Sequence, residues 1–84
     1  MKWEVLRVSV RQNEQDKVDF VAKRDSTLNS IATHDTIEVH FNVAHTEWDA
    51  FQQRLIAEGW ELEKVNRKNE HEQSYYFRRA KDRP

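Results

Sequence analysis

Residues 36–62 read TIEVHFNVAHTEWDAFQQRLIAEGWEL, and the fold is decided here. Over the first eight positions Ile37, Val39, Phe41 and Val43 alternate with Glu38, His40 and Asn42. Period two is the mark of a strand with one wet face, so the apolar set is expected to face a core. Thr46 then precedes Glu47, Trp48 and Asp49. Its hydroxyl can accept from the Asp49 amide while the acidic side chains sit at the positive end of a helix, so a helix is expected to start there. Trp48, Phe51, Leu55 and Ile56 recur at helical spacing and give that helix its apolar stripe. Gly59, the only glycine, marks its end, because a left-handed cap costs least without a β-carbon. Trp60 and Leu62 resume period two and are expected to return beneath the stripe.

Upstream, Leu6, Val8 and Val10 alternate with Arg7, Ser9 and Arg11, which predicts a half-buried strand over residues 3–12. After the polar run Asn13 to Asp16, Val18, Phe20 and Ala22 repeat the pattern and suggest a long-looped hairpin. Asp25 to Asp35 holds Ser, Thr and Asn around isolated Leu28 and Ile31 and reads as a connecting loop. Downstream, Val65 falls out of phase with Trp60 and Leu62, which a bulge near Lys64 would reconcile. A charged turn over residues 67–72 leads to the aromatic strand Tyr75-Tyr76-Phe77 and a basic tail. The expected order is β-β-β-α-β-β: an α+β domain over residues 1–84 with a single antiparallel β-sheet and one helix packed on one face. Residues 80–84 are expected to form a flexible tail.

The segment from the helix to the last strand resembles a small bacterial family of domains of unknown function. The residues carrying this resemblance are Leu55, Ala57, Glu58, Gly59, Trp60, Glu61 and Leu62, then Tyr75, Phe77, Arg78 and Arg79. The opening Met1-Lys2-Trp3-Glu4-Val5 is similar as well. This chain departs from that pattern by inserting about 30 residues between the opening strand and the helix, which would add strands to a β-α-β-β layout. The resemblance implies a compact α+β domain and carries no catalytic residues. Helix capping and core packing account for every residue of the signature.

Composition narrows the function classes. Leu, Ile, Val and Phe number 19 of 84 residues, enough for one thin core, while 35% of the chain is charged and the mean hydropathy is -1.03. A net charge of -1 argues against a general binder of nucleic acid or anionic membranes. No apolar run approaches the ~20 residues of a spanning helix, and the opening residues do not form a signal peptide, so a cytoplasmic location is the default expectation. The absence of cysteine excludes disulfides, thiolate metal sites and cysteine nucleophiles.

His34, His40 and His45 lie too far apart along an extended strand to converge on one ion, so neither a metal nor another cofactor is expected. The carboxylate pairs Glu47/Asp49 and Glu61/Glu63 suit a helix start and a wet strand face, and no nucleophile elbow, phosphate loop or zincin pattern is present. The chain therefore reads as a non-enzyme. Residues 35–63 carry seven acids against Arg54 alone, whereas residues 67–84 carry six bases against three acids. Such asymmetry favours complementary docking, between copies or onto another protein. The leading expectation is a regulatory or accessory interaction module, a homodimer or a subunit of an assembly. Its surface is expected to join the uncovered sheet face (Trp3, Val5, Arg7) to the acidic helix exterior (Glu47, Asp49, Arg54, Glu58). The alternative is a nucleic-acid-associated module using Tyr75, Arg78, Arg79, Lys81 and Arg83, which mix aromatic rings with cations.

Overall fold

A computed structural model describes residues 3–13, 16–28 and 31–80, with the backbone alone at 3, 26–28 and 31–34. The elements are β1 (Trp3–Gln12), β2 (Lys17–Leu28), β3 (Ile31–Ala44), α1 (His45–Ala57), β4 (Glu61–Arg67) and β5 (Glu72–Ala80). The strands form one antiparallel sheet in the order β3-β2-β1-β5-β4, with the single helix against one face. The α+β architecture read from the sequence is the one observed.

Residues 25–35 depart from the loop expected of them. Pairing continues from Asp25↔His34 to Leu28↔Ile31, so β2 and β3 make one long hairpin. The Thr and Ile residues of this stretch suit an extended backbone, and Arg24 and Asp35 face each other across it at 3.8 Å.

The core forms on the even-numbered side of β1 and β2. Leu6, Val8, Val18, Phe20 and Ala22 are buried there, joined by Phe77 of β5 and by Trp48, Phe51 and Leu55 of α1. Phe20 is the hub, its ring 5.1 Å from both the Trp48 and the Phe51 rings. Trp48 also meets Tyr75 edge-on at 5.0 Å, so the helix is pinned from β2 to β5. Fully burying each such side chain contributes about 1.5–3 kcal/mol.

The start of α1 differs from expectation. Ala44, not Thr46, is the N-cap, and no side chain bonds the first-turn amides, although Glu47 lies in the first turn. The chain passes directly from β3 into the helix, which leaves no residue free to serve as a polar cap. The other end is as expected. Gly59 has φ +93°, its amide donates to the Ile56 carbonyl at 3.1 Å, and the Trp60 amide donates to the Leu55 carbonyl at 3.0 Å. This pair of bonds is the Schellman closure. Trp60 is buried, but Leu62, expected beneath the helix, is 52% exposed, because α1 packs toward β2 and β3 and leaves β4 uncovered. The expected irregularity near Lys64 is present as a register shift between Leu62 and Lys64.

Arg79 locks the cap to the sheet. Its guanidinium lies 4.3 Å from the Trp60 ring centroid and donates to Glu4 at 2.9 and 3.1 Å and to the Glu58 carbonyl at 3.2 Å. A β-carbon at Gly59 would meet only the Arg79 side chain, at an ordinary 3.6 Å, so backbone conformation and not space demands glycine. Gly59→Val is therefore expected to cost about 1–2 kcal/mol, or roughly 5–15 °C in melting midpoint. Ala57→Val, on the exposed last turn, should cost clearly less; equal losses in thermal denaturation would contradict the cap.

Candidate functional site

The functional reading turns on which side of β3 looks inward. Val18 pairs with Val43 and Phe20 pairs with His40, so two residues of β3, Phe41 and Asn42, stand against Asp19 alone. Asn42 occupies the left-handed region at φ +56°, which Asn tolerates better than most residues. Its amide donates to the Asp19 carboxylate at 2.6 Å, and the same oxygen accepts from the Asn13 side chain at 2.8 Å. The bulge puts Val43 against the core and inverts residues 38–41, up to a second register shift at Ile37, beyond which Thr36 pairs with Lys23. His40 stacks on Phe20 at 4.6 Å, on the helix side. Ile37, Val39 and Phe41 are 43%, 45% and 66% exposed. The apolar face of the cleanest alternation in the sequence is thus turned away from the core, contrary to expectation.

The polar side of β3 is accommodated by a charged cluster at the rim of the helix. Glu38 accepts from His40 Nε2 at 2.9 Å and from the Arg54 guanidinium, which lies 4.9 Å from the Phe51 ring centroid. With Glu47, these side chains line a shallow hollow of about 170 Å³. Among the described residues no group of three or more acidic, histidine or cysteine side chains could hold a metal, and the side chain of His34 lies outside the described residues.

Opposite the helix, the sheet face is open. Val5 and Arg7 lie on it, as expected, because β1 alternates and Leu6 and Val8 point into the core. Trp3 is in the same register set, but its side chain lies outside the described residues. The uncovered face also carries Val21 and Tyr76, which the sequence reading did not single out. Ser9, Val21, Phe41 and Ser74 help to line a concavity of about 260 Å³ there.

The expected composite surface is not contiguous. Glu47, Asp49 and Glu58 are exposed on the helix, and Arg54 is drawn into the Glu38 pair, all on the far side of the sheet from Val5 and Arg7. The alternative set is divided as well. Tyr75 packs on the core and Arg79 stacks on Trp60 on the helix side, while Arg78 pairs in register with Val5 on the open side. Lys81 and Arg83 lie outside the described residues. Strand alternation sends neighbours to opposite faces, so a run of adjacent aromatic and basic residues cannot form one surface.

No family model, curated protein or solved structure matches the chain. Among the described residues no helix is long and apolar enough to cross a membrane.

Glu38 links the cluster to pH. Burial pushes its carboxyl up, but the hydrogen bonds and charges of His40 and Arg54 outweigh that and hold it below the ordinary value of 4.5. A depressed carboxyl contributes stability above its unfolded-state value and loses it as pH falls through its folded-state value. The thermal midpoint should therefore drop on acidification from about pH 5 to pH 3, and Glu38→Gln should flatten part of that drop. An unchanged acid limb in Glu38→Gln would contradict the assignment.

Proposed function

We propose that this chain is a non-enzymatic protein-interaction module that docks through the apolar side of β3, acting as a homodimer or as a subunit of a larger assembly. The observation that supports this reading is the outward placement of Ile37, Val39 and Phe41. Burial of each is worth about 1.5–3 kcal/mol, and roughly half of that is forfeited at the exposures observed. The total is a sizeable share of the stability of a domain this small, about 5–15 kcal/mol at most. A strand that places Glu38 and His40 under a helix and leaves three large apolar side chains outside has the pattern of a surface awaiting a cover. Val21 pairs with Val39 in the next strand and widens the patch. At the outer edge of the sheet, the backbone of β3 has no neighbouring strand among the described residues. Val5 and Arg7 lie farther along the same open face and extend the surface toward β1.

A photocrosslinking amino acid at position 41, introduced in the cell that expresses the protein, tests this reading, with position 53 on the helix exterior as control. A discrete adduct from position 41 and not from 53 is expected: twice the chain's 10.2 kDa for a homodimer, another defined mass for a subunit. Phe41→Asp should abolish the partner complex and hold the thermal midpoint near wild type, because substitutions at exposed positions usually stay within about 0.5 kcal/mol. No discrete adduct from position 41, together with a strictly monomeric wild type in solution, would overturn the proposal.

A further inference from the structure

One level of the open face reads Lys23, Arg7, Tyr76, Lys64 across β2, β1, β5 and β4, with Glu63 the extra residue of the bulge next to Lys64. Lys23 stands directly opposite Arg7, Arg7 opposite Tyr76, and Tyr76 opposite Lys64. Like charges placed directly opposite destabilise an antiparallel pair, and Arg7 and Lys23 are such a pair. Among the described residues neither closes an ion pair. Lys64 completes the line, its ammonium 4.9 Å from the Tyr76 ring centroid. The three cations span the strands over about 14 Å at the usual strand spacing.

The neighbouring levels confine the charge to this line. On one side lie Val21, Ser9, Ser74 and Asn66, which carry none; on the other lie Asp25, Val5, Arg78 and Glu61, in which acids and base offset each other. A single small anion needs donors that converge, and these are strung across four strands. A line of cations with an aromatic ring among them suits a flexible polyanion whose units carry flat rings. We propose that this row binds single-stranded nucleic acid, with phosphates on Lys23, Arg7 and Lys64 and a base against Tyr76, while Ser9 and Asn66 offer hydrogen-bonding groups beside it. A duplex presents no unstacked base to Tyr76. The row does not include β3 and shares only Arg7 with the proposed docking surface, so substitutions at Lys64 and at Phe41 let the two proposals fail separately.

Fluorescence anisotropy of a labelled dodecathymidylate with the full chain tests the row, with inorganic polyphosphate and duplex DNA as competitors. Dissociation constants between about 1 and 100 µM at low salt are expected, falling off with a log-log salt slope near -2, as three phosphate contacts on a single strand require. Lys64→Glu, at an exposed position, should weaken binding about tenfold, as should Arg7→Glu. Tyr76→Ala should weaken dodecathymidylate binding about tenfold and leave polyphosphate binding unchanged. Phe41→Asp should leave both unchanged. The proposal is overturned by no binding at about 100 µM in low salt, by binding that Lys64→Glu does not weaken, or by equal losses of both ligands in Tyr76→Ala.

Discussion

The contact between the Asp19 carboxylate and the Asn42 amide, 2.6 Å long, decides what this molecule presents to its surroundings. It holds a residue with positive φ in an edge strand and so inserts one extra position into β3 against β2. Without the insertion, Val43 and Phe41 would share a face and the helix would rest on an apolar strand. With it, Val43 joins the core, His40 goes under the helix, and Val39 and Phe41 emerge on the opposite side. A slip of one residue in register reverses the side chains beyond it, here as far as the second shift at Ile37, so a short hydrogen bond governs which of residues 38–41 face the helix.

The two faces then take different roles. On the helix side, Glu38, His40 and Arg54 satisfy one another around Phe20 and Phe51, and the aromatic hub ties α1 to β2 and, through Trp48, to β5. The Arg79 contacts with Trp60, Glu4 and Glu58 close the far end of the same layer. This side is closed around α1, and Leu62 and Val65 of β4 remain exposed beyond it. On the open side, the apolar patch of β3 and the cation row of β2, β1, β5 and β4 are each left without a counterpart among the described residues. The proposed interaction function and the proposed nucleic-acid row are readings of those two imbalances.

Much of the architecture was legible in the sequence, because it rests on local signals. The period-two runs around Leu6, Phe20 and Val39, the stripe of Trp48, Phe51 and Leu55, and the lone Gly59 each point to one element, and all of those elements are present. Alternation, however, is symmetric with respect to the two faces. It separates Val39 from His40 without saying which lies inside, and a bulge between Phe41 and Asn42 leaves no trace in the hydrophobic pattern. The pairing of Lys23 with Arg7 and Tyr76 is likewise invisible to a linear reading, since it joins residues far apart in the chain through register alone. The expected composite of sheet and helix residues missed for a related reason: a helix that covers one face is necessarily on the other side from the uncovered face. Asp19 and Asn42, polar residues on successive strands, were the available signal for the bulge, but only when read together with a pairing that the sequence does not supply.

The orientation of β3 is the claim on which the account depends, and side-chain proton NOEs measure it directly. The His40 ring should show contacts to the rings of Phe20 and Phe51, 4.6 and 6.5 Å away between centroids, and Phe41 should show none to Phe51 or Trp48. Contacts from the Phe41 ring to Phe51 or Trp48, with His40 silent, would place the apolar side of β3 in the core and contradict the account.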